Sequence, residues 1–240
     1  EVHMPSYTIT EAHKIVRQRD DADRQRVALI EWVFFPLLDE KDLILYAEMA
    51  KDPVPFADFL GYFSKPTEPS DIELTEQDRN IARRAYEVLS GWKGAPAVAQ
   101  DGTLSFEALD EWYTKAVATV QAKGRMWSDY IFGEKLRYAP ADPDGTWPCV
   151  AVRRFLEKYQ SDTLERAIAT EVYNSRGVHT PDAGASERAL SEHYDQLASS
   201  MEIEYPSTAR MLRNIAQDYR RDADSEGKRH EIEQDTEYHM

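Results

Sequence analysis

Apolar residues recur at three- and four-residue spacing through most of this chain, and no stretch alternates apolar and polar over a strand's length. Ile9, Ala12, Ile15 and Val16 share one face of residues 8–19, which is the period of a helix. Residues 22–38 are apolar nearly all round: Val27, Ile30, Val33, Phe34 and Leu37 fill one side, and Leu29, Trp32 and Phe35 the others. Such a helix is expected to be central, buried on most sides, and kinked or ended at Pro36. A third helix is predicted over 41–51. Asp52 and Pro53 then supply a cap and a first helical position for a fourth, marked by Phe56, Phe59, Leu60 and Phe63.

Thr75 and Asp78 have the spacing of a capping box, followed by Ile81, Ala85, Val88 and Leu89. Ser105 precedes the clearest amphipathic segment, with Leu109, Trp112, Tyr113, Ala116 and Val120 in one stripe and Gly124 as its stop. Another helix is predicted over 126–138, weakened in its middle by Gly133. Asp142-Pro143-Asp144-Gly145 reads as a hard turn. After it, Thr146 is the expected N-cap and Pro148 falls in the first turn of the next helix, with Trp147 as a staple at its entry. Ser161 caps a helix carrying Leu164, Ile168 and Val172, which ends at Gly177. Residues 186–201 and the segment from Pro206 form an αα-hairpin. Beyond Asp222 the pattern is charged and aperiodic, as in a fraying helix or disorder.

These elements predict an all-α chain, an irregular, helical-repeat-like stack of about ten antiparallel helices. An N-terminal helix occupies 1–24, the helical-hairpin domain 25–225 and a charged tail 226–240. The opening residue, Glu1, is read as the start of a segment of a larger protein.

Composition narrows the function. The 240 residues are 42% hydrophobic and 30% charged, with a net charge of −15. That balance suits a globular chain and disfavours contact with phosphate backbones, so no nucleic-acid partner is expected. The sequence has no apolar run of membrane-spanning length and no leader-like segment, so no membrane association is expected. A lone Cys, Cys149, fits a cytoplasmic location.

Catalytic chemistry finds little support. Cys149 has no base near it in sequence, and a buried small hydrophobe is the simpler reading. The six His include no i, i+4 pair, so no metal site is expected. Asp142 and Asp144 lack the spacing of a calcium loop. Glu187, Glu192 and His193 read as a solvated helix face, and Arg153-Arg154 and Arg220-Arg221 as surface ion pairs. The one candidate for ligand binding is the neighbourhood of Trp147, Arg176 and His179. There Arg176 could fork onto an anion and the following helix N-terminus could add donors. The competing reading is a helix C-cap with Gly177 at positive φ.

The segments APADPDG-W-P (from Ala139), NSRGV (174–178), ERAL-HY (187–194) and YPSTARMLRNIAQDYRRDA (205–223), together with LIEWVFFPLLDE and DPVPFADFL, carry a resemblance. Over about residues 25–225 the chain looks like the C-terminal helical region of large, uncharacterised bacterial multidomain proteins, whose longer members look like signalling or anti-phage defence proteins. The resemblance implies a sensor or scaffold region and carries no catalytic residue or cofactor. The expectation is a non-catalytic protein-interaction or sensor region of a larger cytosolic bacterial protein. Its partner is another protein or other domains of the same chain. The alternatives are an effector or enzyme domain binding an anionic small ligand near Trp147 and Arg176, and an oligomerising module.

Overall fold

A computed structural model describes residues 6–19, 22–38, 43–69, 73–177 and 182–237. Among these the fold is all-α: eleven α-helices, one 3-10 turn at Phe35–Leu37, and no strand. Helix lengths run from 8 to 32 residues, so no fixed structural period is visible. Contacts gather into two compact units, Glu1–Ser128 with Tyr138–Pro140, and Asp129–Arg137 with Ala141–Met240.

The first unit holds α1 (Ser6–Arg17), α2 (Arg24–Phe34), α3 (Ile44–Lys51), α4 (Pro53–Phe63), α5 (Glu76–Gly91) and α6 (Phe106–Ala122). Local caps form where the sequence places them. Asp52 accepts from Val54 N–H, Thr75 and Asp78 close a reciprocal box, and Ser105 accepts from Ala108 N–H, so donors that the first turns leave unpaired are satisfied. The core centres on Phe56 of α4, which is fully buried and meets Trp92, Trp112 and Trp127 at 6.0, 5.2 and 6.0 Å between ring centres. Trp112 donates its indole N–H to the Met49 carbonyl (3.1 Å), which ties α6 to α3.

Because α4 is the hub, α2 is not central. Only Val27, Ala28 and Glu31 of α2 are buried, while Leu29, Ile30, Val33 and Leu37 stand in solvent. The expectation of a helix buried on most sides is overturned, although the break at Pro36 stands as the 3-10 turn. The two polar core residues here belong together. His13 Nε2 meets Glu31 Oε1 at 2.8 Å, and Glu31 Oε2 accepts from Leu45 N–H at 2.7 Å. One buried carboxylate thus joins α1, α2 and the start of α3.

The second unit holds α7 (Asp129–Leu136), α8 (Val150–Tyr159), α9 (Asp162–Asn174), α10 (Ala185–Met201) and α11 (Pro206–Glu237). Helix α7 begins later than the periodicity suggests. The residues before it pair instead with the start of the α4–α5 connection: Met126 N–H donates to the Lys65 carbonyl (2.8 Å), beside a Pro66–Arg125 bridge. Gly133 serves packing rather than weakness. A Cβ there would lie 2.8 Å from Ala167 Cβ and 3.0 Å from the Leu164 carbonyl, so only glycine lets α7 lie this close on α9.

Helix α8 starts at Val150 with Cys149 as N-cap, so Thr146 is not the cap and Pro148 precedes the first turn. The cap function is filled from upstream by the Asp142 carboxylate, which accepts from Val150 N–H at 3.0 Å and also pairs with Arg153. Arg153, read as a surface residue, has a side chain only 12% exposed and lies over the Tyr205 ring. Helix α11 is capped the same way. Glu157 of α8 accepts from Ser207 N–H (3.2 Å) and Thr208 N–H (3.0 Å) at its start, where a carboxylate also meets the positive end of the helix. The α10–α11 hairpin is present. Helix α11 continues to Glu237, through the segment read as fraying or disordered.

Candidate functional site

Three residues carried the sequence-based site. His179 lies in 178–181, outside the described residues. Arg176 follows α9 and is committed within the second unit: its guanidinium pairs with the buried carboxylate of Glu187 on α10 and lies 5.7 Å over the Tyr219 ring. Gly177 beside it has φ 73°, as the C-cap reading requires. Glu187 is therefore no solvated acid. It is fully buried, because its turn of α10 faces α11.

Trp147 is half-buried in the turn before α8, and its partner is a residue the sequence did not single out. Arg137 lies 5.4 Å over its ring. Indole Nε1 of Trp147 and guanidinium Nε of Arg137 are both shielded from solvent, and neither finds an acceptor among the protein's own atoms. Tyr194 and Tyr219 stack at 5.9 Å nearby. Burial raises both phenols, and the positive charge of Arg137 acts on both in the opposite sense, with Arg176 adding to it at Tyr219. Tyr173, on α9, is pushed up to about 12 by its hydrogen bond to Asp222 and then by burial. These phenols are neutral at ordinary pH and act as hydrogen-bonding and stacking groups.

Asp182, Glu187 and Glu226 bring one carboxylate oxygen each within 4.8 Å of one another. Each also accepts from the protein: Asp182 from Ser186 N–H, Glu187 from Arg176, and Glu226 from Gly184 N–H. The cluster fastens the start of α10 to its neighbours. Cys149 is 4% exposed, and burial pushes its thiol up, which opposes thiolate chemistry.

Two surface features of the first unit were not legible in the sequence. The outward face of α2 carries Leu29, Ile30 and Val33, continued by Leu37, with exposures of 61%, 40%, 47% and 42%. Beside it Trp32 stacks on Tyr62 at 6.1 Å, and Arg84 of α5 lies 5.6 Å over the Trp32 ring while donating to the Val33 carbonyl. The second feature is an open groove of about 1390 Å³. Its floor includes Tyr46 and Trp92, both nearly buried, and Arg17, Arg24, Lys51 and Lys93 line it from four different elements. Among its described lining residues there is no carboxylate.

Arg24 and Lys51 share one carboxylate oxygen, Glu48 Oε1, at 2.8 and 3.2 Å. Burial works to raise the Glu48 carboxyl, but hydrogen bonds and charge from the two cations outweigh it and hold it below its ordinary value. Among the described residues, two cations thus share one carboxylate. Lys93 lies 5.5 Å over the Tyr138 ring at the same groove. One weak sequence signal existed: Arg24 stands in the first turn of a helix, where a cation opposes the helix dipole.

No known protein family matches this sequence, and neither characterised proteins nor solved structures yielded a similar chain. No helix among the described residues is long and apolar enough to cross a membrane.

Proposed function

We propose that this chain is a non-catalytic protein-interaction region, docking through the outward face of α2 onto a partner protein or another domain of the same polypeptide. The carrying observation is that face: four large apolar side chains, each at least 40% exposed, at i, i+1, i+4 and i+8 of one segment. A contiguous apolar stripe in water is the usual mark of a contact surface. The adjoining Trp32, Tyr62 and Arg84 are of the types that dominate binding energy at interfaces. Taking about half of the ~1.5–3 kcal/mol for full burial of such a side chain, the four supply roughly 3–6 kcal/mol before the cost of association.

The test is the double substitution Leu29→Glu with Val33→Glu. Both sites are exposed, so the melting temperature is expected to change little, whereas proteins captured from a cell extract by the wild type are depleted about tenfold or more, equivalent to ~1.4 kcal/mol. Unchanged capture removes the α2 face from the function. A collapse in stability would make that face part of the core.

A second reading rests on the two acceptor-less donors of Arg137 and Trp147, and it moves the anionic-ligand alternative from Arg176 to Arg137. An oxyanion between guanidinium and indole would satisfy both. Inorganic phosphate then raises the melting temperature of the wild type and not of Arg137→Gln; at 100 times its dissociation constant the gain is about 2.7 kcal/mol. Equal behaviour of the two proteins ends this reading.

A further inference from the structure

The geometry points to the groove of the first unit as a docking site for an extended acidic segment of a partner protein, its apolar side chains on the Tyr46–Trp92 floor and its carboxylates against Arg17, Arg24, Lys51 and Lys93. This is a second surface and does not depend on the α2 face being used.

Charge is the first argument. The chain carries 44 acidic and 29 basic side chains, so a random patch of its surface is mostly negative. The groove's described lining runs the other way. Helix-dipole complementarity explains only part of this. Arg17 and Lys51 do stand in the last turns of α1 and α3, where cations are favoured. Arg24 stands at the start of α2, and Lys93 follows α5 outside any helix. Among the described residues Arg24 and Lys51 share one carboxylate, Glu48, so two cations face an incoming anion against one described acid.

Shape is the second argument. Pockets for small molecules run to about 300–1000 Å³ and enclose their ligand, whereas this groove is larger and open along one side. The cations sit on separate elements rather than converging on one point, which suits several carboxylates spaced along a chain better than a single compact anion. The floor is preformed. A Cβ at Gly91 would fall 2.7 Å from the Tyr46 hydroxyl, and one at Gly94 2.6 Å from Trp92 Nε1, so the absence of side chains there leaves room for both aromatic groups. Nucleic acid is the poorer occupant, because its unbroken run of phosphates is repelled by a chain of net charge −15 more strongly than a few spaced carboxylates are.

The experiment is fluorescence anisotropy with a fluorescein-labelled peptide bearing glutamate at alternate positions and leucine or tyrosine between them. Its twin has every glutamate replaced by glutamine. Saturable binding of the acidic peptide, about tenfold or more tighter than its twin and weakened by added salt, is expected. The double substitution Arg24→Gln with Lys93→Gln is expected to weaken it about tenfold, Lys93→Gln alone by less, and Arg220→Gln in the second unit not at all. Lys93 is exposed, so its single variant keeps the test meaningful should the double variant fold poorly. Equal binding of the twin, or binding indifferent to Arg24 and Lys93, overturns the proposal. So does the absence of binding by either peptide. Inorganic tripolyphosphate raising the melting temperature while neither peptide binds would assign the groove to a small anion instead. None of these results bears on the Leu29 and Val33 substitutions, so the two surfaces stand or fall separately.

Discussion

Replacing Glu31 by Ala is expected to destabilise the first unit by about 2–6 kcal/mol, because it leaves two buried donors without an acceptor, at about 1–3 kcal/mol each. Glu31 is fully buried and its two oxygens hold two donors from different elements, His13 Nε2 and Leu45 N–H. Truncation leaves both in a dry interior, where an unmet donor costs more than the bond it made. Glu31→Gln keeps one acceptor oxygen and should lose less. Urea unfolding followed by tryptophan fluorescence reads this unit, because Trp32, Trp92, Trp112 and Trp127 lie in it. A double-mutant cycle with His13→Ala should return a coupling of about 0.5–3 kcal/mol. A loss below about 1 kcal/mol for Glu31→Ala would show that the pair is not formed in solution.

Gly184→Ala is expected to cost about 3 kcal/mol. Two penalties add. Gly184 has φ 79°, where an L side chain loses about 1–2 kcal/mol. Its new Cβ would also lie 2.5 Å from the Ala223 carbonyl oxygen and 2.8 Å from Ala223 Cα, backbone atoms that cannot swing aside, and overpacking of this kind costs about 1–3 kcal/mol. The same movement would pull Gly184 N–H from Glu226. The measurement is urea unfolding by circular dichroism, with hydrogen exchange across 185–201 to locate the loss in α10. Gly227→Ala is the contrast. Its Cβ would come no nearer than 3.9 Å to the nearest atom, Ala183 O, and it lies within α11, so a gain of up to about 1 kcal/mol from helix propensity is expected. Equal effects at the two positions would contradict the close approach of α10 and α11 at Gly184.

The helical content was legible because it rests on local signals. The capping box at Thr75 and Asp78, the caps at Asp52, Ser105 and Ser161, and the periodic apolar stripes each involve residues only a few positions apart. Burial of a stripe is another matter. The α2 segment has the composition of a core helix, yet the core formed around Phe56 of α4, and α2 was left with one apolar face in water. Periodicity tells which residues share a face, and not whether anything covers it.

The candidate sites were less legible still. Arg176 could be noticed beside Gly177, but its partner Glu187 is brought to it by the packing of α10, and that pairing uses the charge an anion would have met. Arg137 gains its interest only from Trp147 above it. The groove draws its cations from the end of α1, the start of α2, the end of α3 and the residues after α5, and no spacing along the chain foretells their convergence.

What the sequence determined by itself is the class of fold, most helix positions and the caps made by near neighbours, because these depend on backbone geometry over one or two turns. Tertiary structure alone decided how the starts of three helices without a local cap are satisfied. Glu31 serves α3, Asp142 serves α8, and Glu157 serves α11. In each, a carboxylate from another element or an earlier turn meets the unpaired N–H groups of a helix start. An acidic sequence offers many such carboxylates. Which of them reaches which helix is set by packing, and packing also decided that the first unit presents an apolar helix face and a basic groove to solvent.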